Sequence, residues 1–407
     1  MKLPVAVTAI DDLVLRASGI GNVFLVKTPG GNVVYDTGVP WQGAEQREQL
    51  LAAAAGRVSH VVVSHAHADH NGGLEAWQGD FERGTELIAH ERYPYTNRIY
   101  GDTEPYLWRV RTGSMYPVPD KSGHRNVVPS RLVPVSSGYS FEVGGVDFVA
   151  IAARNSAEGE DALLLWLPDH GILFSGDFFG PLYPMFPNLY TIRGEKLRDP
   201  LDYVDSLDRL LALRPRPKLL LPAHFDEVEG VEYIQRTLEV TRDATQYVYD
   251  ETVKGMNAGR SVYQLMAEIE LPPELRISQG HGKVSWSVRA IWELLAGWFS
   301  FEDTADLYPV PARAVHADVV ELAGGTGPLV ARARSWLERG EPVKALRLLD
   351  IARGGSGGQP FPGDDVRLAA LEALLAESRA TTGNFSETSF LGARISAARR
   401  RIAAASP

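Results

Sequence analysis

The sequence has no cysteine among its 407 residues. Disulfides and thiolate metal sites are thereby excluded, so a bound metal has only histidine, carboxylate and water to hold it. A basic excess is lacking too: 41 Lys and Arg stand against 51 Asp and Glu, a net charge of -10. Nucleic acid and anionic membrane both call for basic surface, so neither is the expected main partner, although a local basic pocket fits the balance. No segment approaches the roughly 18 apolar residues of a membrane span. The N-terminal apolar stretch, Leu3 to Ile10, is closed by Asp11 and Asp12. With no small-residue cleavage site after it, it reads as a first strand and not a signal peptide, and a cytoplasmic location is expected. Apolar residues make up 44% and charged residues 23%, the balance of a globular chain, and the length suits two domains.

The first half reads as strands and turns. Asn22–Lys27 and Asn32–Tyr35 form a pair joined at Pro29-Gly30-Gly31, and "EQREQLLAAAAG" is a helix ending at Gly56. Val61–Val63 is a short buried strand. Hairpins follow in "YSFEVGGVDFVAIAA" and in "ALLLWLPDHGILFSGD", the latter turning at Pro168–Gly171. "DYVDSLDRLLAL" has helical spacing, and Leu219–Leu221 is a last strand running into His224. From about Gly230 the periodicity is helical. Ile234, Leu238, Thr241 and Val248 share a face, and Val288, Ile291, Trp292, Leu295 and Trp298 mark a strongly apolar helix. Leu329–Leu337 and Val343–Ile351 form a helix pair at Gly340, Arg353–Asp364 is a glycine-rich loop, and Leu368–Arg379 and Leu391–Ala405 close the chain, the last either docked or frayed. No sustained repeat is present. The boundary falls near 228, giving a layered α/β domain over 1–228 and a helical one over 229–407.

Histidine is scarce, ten in all, yet "VVVSHAHADH" places three within six positions directly after a valine strand. A tight loop leaving a strand can aim His65 and His67 at one metal, with Asp69 and His70 turned to a second position nearby. Imidazole and carboxylate suit zinc, with manganese or iron as alternatives.

"SHAHADHNGG" resembles the signature of the metallo-β-lactamase superfamily, whose fold is an αββα sandwich. The resemblance implies a two-metal site completed by a further histidine, an aspartate after a strand and a last histidine. Asp177 in "LFSGD" and His224 in "LLLPAH" match two of these. The expected middle histidine is absent, because His170 sits in a hairpin turn. A carboxylate of "NSAEGED" must take its place: Glu158, with Glu160 and Asp161 as alternatives. That substitution resembles the alkylsulfatase branch. Glu158 stands 19 residues before Asp177, the separation of that branch's two metal-binding glutamates. The sequence departs from the branch in lacking its "PGTEAP" context and in carrying Asp177 where glutamate is usual.

"NLYTIRGEKLRD", Asn188–Asp199, is similar to the branch's sulfate-site motif. Arg193 matches the arginine that holds the sulfate, which suits a guanidinium, a permanently charged fork of donors for two oxyanion oxygens. Asn188 and Tyr190 are candidate substrate-binding or supporting residues. Asn257–Pro311, with its Leu-Pro-Pro, Val-Ser-x-x-Val-x-x-Ile and Gly-Trp-Phe in order, resembles the branch's helical dimer-forming domain, which implies a homodimer. The branch's additional C-terminal lipid-carrier-like domain has no counterpart before the sequence stops at 407, which argues against a long-chain detergent substrate. The expected architecture is thus an αββα sandwich followed by an all-α dimerisation-type domain.

The resemblance implies a binuclear hydrolase of an anionic sulfate ester. His65, His67 and Glu158 go to one metal, Asp69, His70 and His224 to the other, and Asp177 bridges. Asp69 and Asp177 serve the catalysis, a two-metal-activated hydroxide is the nucleophile, and attack falls on carbon or on sulfur. The rival readings are another hydrolase of the superfamily (lactonase, thioesterase or phosphodiesterase) and a non-catalytic metal-binding module; a nuclease lacks its basic groove. Asp36 in "YDTG" reads as a brace for the metal loop. His60, His90 and His316 read as satisfied or surface histidines. The insertion Arg92–Arg131, with Tyr100, Tyr106, Trp108, Arg109, Arg111 and His124, either walls the substrate pocket or is a surface loop. "GGTGP" at Gly324–Pro328 lacks the residues of a phosphate loop and reads as a turn.

Overall fold

Alternating apolar side chains build two mixed sheets in this computed structural model, which describes residues 3–111, 127–299, 301–355 and 361–405. His124, the Trp108 side chain and residues 356–360 of the glycine-rich loop lie outside the described residues. The first sheet has seven strands in sequence order: β1 (Ala6–Ala9), β2 (Val14–Ser18), β3 (Val23–Val26), β4 (Asn32–Tyr35), β5 (Val58–Val62), β6 (Glu86–His90) and β7 (Arg131–Val133). Strands β1 to β4 pair antiparallel, and β4 to β7 pair parallel. The parallel crossovers carry helices α1 (Gly43–Ala53), α2 (Ala68–Asn71), α3 (Gln78–Glu82) and α4 (Tyr93–Arg111), as parallel pairing requires. The second sheet holds β8 (Tyr139–Val143), β9 (Val146–Ala152), β10 (Leu163–Leu167), β11 (Ile172–Gly176), β12 (Leu219–Pro222) and β13 (Val228–Glu229). Its order is β13-β12-β11-β10-β9-β8, and only β11 and β12 run parallel.

Strand β10 shows why the sheets stack. Leu163, Leu165 and Leu167 enter the core between the sheets, beside Phe24, Tyr35 and Phe174. The alternate residues Leu164 and Trp166 enter a second core with Tyr203, Leu207, Leu210, Ile234 and Leu238. Both faces are covered, so the strand is apolar throughout, and a one-residue slip would exchange its two layers. On the far side of the first sheet Leu50, Leu74, Trp77 and Tyr93 pack against Val34, Val61 and Leu87. The layers therefore run helix, sheet, sheet, helix, as the family resemblance implies.

The outer helices of the second sheet are α5 (Pro200–Leu211) and α6 (Val231–Asn257). Helix α5 begins at Pro200, since the Asp199 carboxylate accepts from the Leu201 and Asp202 N–H groups and caps it there. Along α6 the expected face of Ile234, Leu238, Thr241 and Val248 is buried. Helices α7 (Val262–Glu268) and α8 (Val284–Ala296) pack on α6 through Leu265, Val284, Val288 and Ile291. The apolar spacing that continued to Trp298 does not extend the helix: Gly297 takes a φ of 79° and ends it, which leaves Trp298 outside.

The chain divides into two compact units, one holding most of the residues up to Leu294 and one beginning at Leu295. The second is all-helical: α9 (His316–Leu322), α10 (Thr326–Glu338), α11 (Pro342–Gly354), α12 (Asp364–Thr381) and α13 (Phe385–Ala405). Helices α10 and α11 pair about Ala333, Ala345 and Leu349 across the turn at Gly340. The last helix is docked on α12 through Leu371, Leu391 and Ile395, not frayed.

Phe174 is fully buried between the sheets, with ring contacts to Phe24 and Tyr35. Phe174→Ala is expected to cost about 3–5 kcal/mol in urea unfolding; a loss below about 1 kcal/mol would mean the two sheets do not interlock there.

Candidate metal centre

The histidine-rich loop leaves the end of β5 and is tied down on three sides. The Asp36 carboxylate accepts from the Ser64 N–H at 2.7 Å, the Ser64 hydroxyl at 2.8 Å and His70 Nδ1 at 2.9 Å. Asp161 Oδ2 accepts from the Ala66 N–H at 2.9 Å. The Leu163 N–H donates to the Ser64 carbonyl, which joins the loop to the second sheet. The Asn71-Gly72-Gly73 run has a steric reason: a Cβ on Gly73 would lie 2.0 Å from the Thr37 carbonyl oxygen. Asp36 is thus the brace expected of it.

His70 and His224 face Asp69 and Asp177. His70 Nε2 lies 3.6 Å from Asp69 Oδ1 and 3.5 Å from Asp177 Oδ2. His224 gives Nδ1 to the Ile20 carbonyl at 2.7 Å, so its Nε2 points at Asp69 Oδ2 and Asp177 Oδ2, both at 3.4 Å. Parallel pairing of β11 with β12 brings Asp177 and His224 to the same end of the sheet. Burial alone would raise the Asp69 carboxyl, but His70 and His224 outweigh it and hold it well below the usual range. Asp177 behaves likewise under His224 and His70. Burial works against the charge on His224 as well, yet the two aspartates push it up to about 10. His65 is held well below the usual histidine range by burial, reinforced by His70 and His67.

His65 Nε2 and His67 Nδ1 converge at 2.8 Å, and Glu158 Oε2 lies 3.9 Å from His67 Nδ1. The three alternatives in "NSAEGED" separate clearly. Glu160 turns outward to Arg92 and Lys196, Asp161 serves the Ala66 N–H, and Glu158, 1% exposed, enters the cluster. Burial opposes its charge, but Arg193 and Arg198 hold its carboxyl well below the usual range. Arg193 donates to Glu158 Oε2 and to Thr191. Asn188 lies 3.4 Å from Glu158 Oε1. Tyr190 instead stands beside Glu293 and Arg289 of α8.

Two members of the cluster escaped the sequence reading. Glu195 bonds Arg198 at 2.5 Å and Arg193 at 3.3 Å, and sits 3.7 Å from His67 Nε2. Despite burial, Arg193, His67 and Arg198 hold its carboxyl at about 2. Its place two residues after Arg193 was a signal of sorts. His281, 2% exposed, has Nε2 3.2 Å from Glu158 Oε1. Its only sequence mark is the flanking Gly280 and Gly282, and a Cβ on Gly282 would meet the Phe186 and Pro187 carbonyls at 2.2 and 2.3 Å.

Among the described residues, three sets of donor atoms each lie within 4.8 Å of one another: His65, His70 and Asp177; Asp69, His70 and His224; His67, Glu158 and Glu195. His70 Nε2 and Asp177 Oδ1 are buried without a hydrogen-bond partner. Nitrogen and carboxylate oxygen at this density, with polar atoms turned inward and unbonded, fit divalent metal ions. Beside the Glu158 end a cavity of about 140 Å3 is walled by Tyr95, Ile99, Tyr100, Leu107 and Leu197. The first part of the insertion is therefore helix α4, and its Tyr100 hydroxyl meets His67 Nε2 at 3.0 Å. His60 pairs with Glu86, and His90 bonds the Ala153 carbonyl and the Arg92 N–H.

The sequence profile of the metallo-beta-lactamase superfamily matches residues 17–224, and that of the alkyl sulfatase dimerisation region matches 261–354. A linear primary-alkylsulfatase of Pseudomonas sp. is 26% identical over 353 residues, 81% of this chain and 65% of that protein. An alkyl/aryl-sulfatase of Saccharomyces cerevisiae is 23% identical over 357 residues, 80% of this chain and 54% of that protein. The chain thus spans between about half and two thirds of these relatives. The structure of a stereoselective inverting sec-alkylsulfatase from Pseudomonas sp. superimposes with a TM-score of 0.81 at 20% identity, over 96% of this chain and 65% of that one.

Burial raises the Asp161 carboxyl to about 7. A carboxyl whose pKa rises on folding favours the folded state when protonated, so its contribution is lost as pH climbs from the unfolded value towards 7. Asp161→Asn keeps an acceptor for the Ala66 N–H and carries no charge. Relative to wild type, both stripped of metal, its stability is expected to gain with pH between about 4 and 7 and then level off, by at most about 4 kcal/mol. Thermal melts across that range check this; a difference independent of pH would show that Asp161 is ionised throughout.

Proposed function

We propose that this chain, which belongs to the metallo-beta-lactamase superfamily, is a metal-dependent hydrolase of sulfate esters. The observation that carries the reading is Arg193, partly buried and paired with Glu158 at the edge of the histidine and carboxylate cluster. The sulfatase names of its relatives and the matched dimerisation region support it. The superfamily fold implies divalent metal ions. We assign His65, His67 and Glu158 to one ion and Asp69, His70 and His224 to a second, with Asp177 between them; zinc suits these donors best, with manganese or iron as alternatives. Bound there, such ions would polarise the ester and lower the pKa of water so that hydroxide forms near neutral pH.

The chain's own groups do the rest. Arg193 grips the anionic sulfate, helped by Asn188 and by His281 from across Glu158, while Tyr190 acts from one step further out. Asp69 and Asp177, kept ionised by His70 and His224, serve the catalysis as fixed negative groups whose carboxylate oxygens can accept hydrogen bonds from the attacking water and orient it towards the ester. Tyr100 and Glu195 hold the outer nitrogen of His67 and so orient its ring. The cavity under α4 takes the alcohol part of the ester, its aromatic and aliphatic walls replacing water around carbon. We divide the functions near residue 228, with the metal-binding catalytic region in 1–228 and assembly in 229–407, from which His281 reaches back to the site. The compartment proposed is the cytoplasm; no helix among the described residues is long and apolar enough to cross a membrane.

Wild type is expected to hold about two metal equivalents by elemental analysis and to hydrolyse sulfate esters in preference to phosphate, lactone and thioester compounds. Glu158→Ala should lose about one equivalent and its turnover, and Arg193→Ala should raise KM for sulfate esters about 10–100-fold with the metals retained. An unchanged KM in Arg193→Ala would favour a lactonase, thioesterase or phosphodiesterase.

For the helical region we propose homodimer formation. Trp298 and Phe301 are 73% and 83% exposed, followed by exposed Leu307, Tyr308 and Val310, an apolar run that calls for a cover. Sedimentation should return twice the chain mass for wild type and a single mass for Trp298→Glu with Phe301→Glu. A monomeric wild type at micromolar concentration would sink the idea.

A further inference from the structure

Glu195 introduces a buried negative charge where an anion-binding site would be expected to exclude one. Its carboxylate, 6% exposed, bonds Arg198 and Arg193 at 2.5 and 3.3 Å. Arg198 is 3% exposed and committed to the Asn188 and Glu158 carbonyls, so its charge is fixed in place. Lys196 is turned outward onto Glu160. Arg193 and Arg198 thus face two carboxylates, Glu158 on the side of the metal cluster and Glu195 on the other, and this group of side chains carries no surplus positive charge for a second anionic charge to use.

We propose that Glu195 selects the charge of the substrate: singly charged oxyanion esters are accepted and doubly charged ones rejected. The inference rests on Arg193 as the anion-binding group. A sulfate monoester carries one negative charge at any working pH. A phosphate monoester, nearly its match in shape, carries close to two above its second pKa of about 6. A fork of Arg193 that grips such a group brings it against the Glu195 carboxylate. The first charge is met by the guanidinium, and the second meets a like charge on a side chain only 6% exposed, where screening is weaker than at the surface. Shape alone cannot separate the two tetrahedral anions. A fixed carboxylate beside the arginine can, by repulsion of the wrong one.

The test is competitive binding of methyl sulfate and methyl phosphate to the metal-loaded protein. At about pH 8, wild type is expected to bind methyl sulfate at least ten-fold more tightly, and Glu195→Gln should shrink that ratio at least ten-fold by gaining affinity for methyl phosphate. Glu195→Asp, which keeps the charge, should keep the preference. In wild type, lowering the pH to about 5.5, where methyl phosphate becomes singly charged, should narrow the ratio in the same way. That measurement decides the matter if the variants fail to fold. An unchanged ratio in folded Glu195→Gln overturns the proposal, as does loss of a metal equivalent in that variant, which would make Glu195 a ligand. A ratio that shifts as described in a protein inactive on every sulfate ester would overturn the sulfatase reading and leave the charge selection standing. Sulfate turnover with no shift would do the reverse.

Discussion

Asp36 accepts three hydrogen bonds at once, from the Ser64 N–H, the Ser64 hydroxyl and His70 Nδ1, with no exposure to solvent. It does so from a left-handed backbone, φ 64°, which few residues other than glycine adopt. A buried carboxylate is tolerable only when its oxygens are fully bonded, and these bonds fasten the end of β4 to the loop after β5. They also decide which nitrogen His70 presents. With Nδ1 given to Asp36, Nε2 must face Asp69 and Asp177. Every other distance in the cluster is measured from a loop held in this way.

Around that anchor, buried charge is matched by buried charge. Asp69 and Asp177 stand against His70 and His224; Glu158 and Glu195 stand against Arg193 and Arg198. Removing one partner from either set would leave an ion out of water without an answer, the costliest arrangement a protein interior can hold. The two sets differ in what can replace the cation. Imidazoles can exchange a proton for a metal ion, whereas guanidinium groups cannot, so the first set fits metal binding and the second fits anions. His67 joins them, one ring nitrogen turned to His65 and the other to Tyr100 and Glu195.

The folded layers were legible because both faces of the central strands are buried, and a run such as Leu163–Leu167 admits few other readings. The histidine loop, Asp177 and His224 were legible for a related reason: each follows directly on a strand, and strand ends in parallel pairing gather at one edge. Glu158, Glu160 and Asp161 could not be told apart in sequence, since three carboxylates within four residues of a loop have no periodicity to sort them. The fold sorts them by what waits opposite: arginines for Glu158, surface cations for Glu160, a backbone N–H for Asp161. The helix boundary at Gly297 was missed because apolar spacing continued past a residue whose backbone had already turned.

By itself the sequence determined the chemistry on offer: no thiolates, a histidine and carboxylate donor set, an arginine in a stretch that resembles a sulfate-site motif and a helical second half. These are properties of residue type and short spacing, and they survive without coordinates. Tertiary structure alone decided the company those residues keep. His281 reaches Glu158 across more than a hundred residues, because Gly282 lets its segment press against the Phe186 and Pro187 carbonyls. Glu195 became a partner of Arg193, Arg198 and His67 through loop packing that no local pattern encodes. Electrostatic energy depends on distance through space, and only the fold converts separation along the chain into that distance.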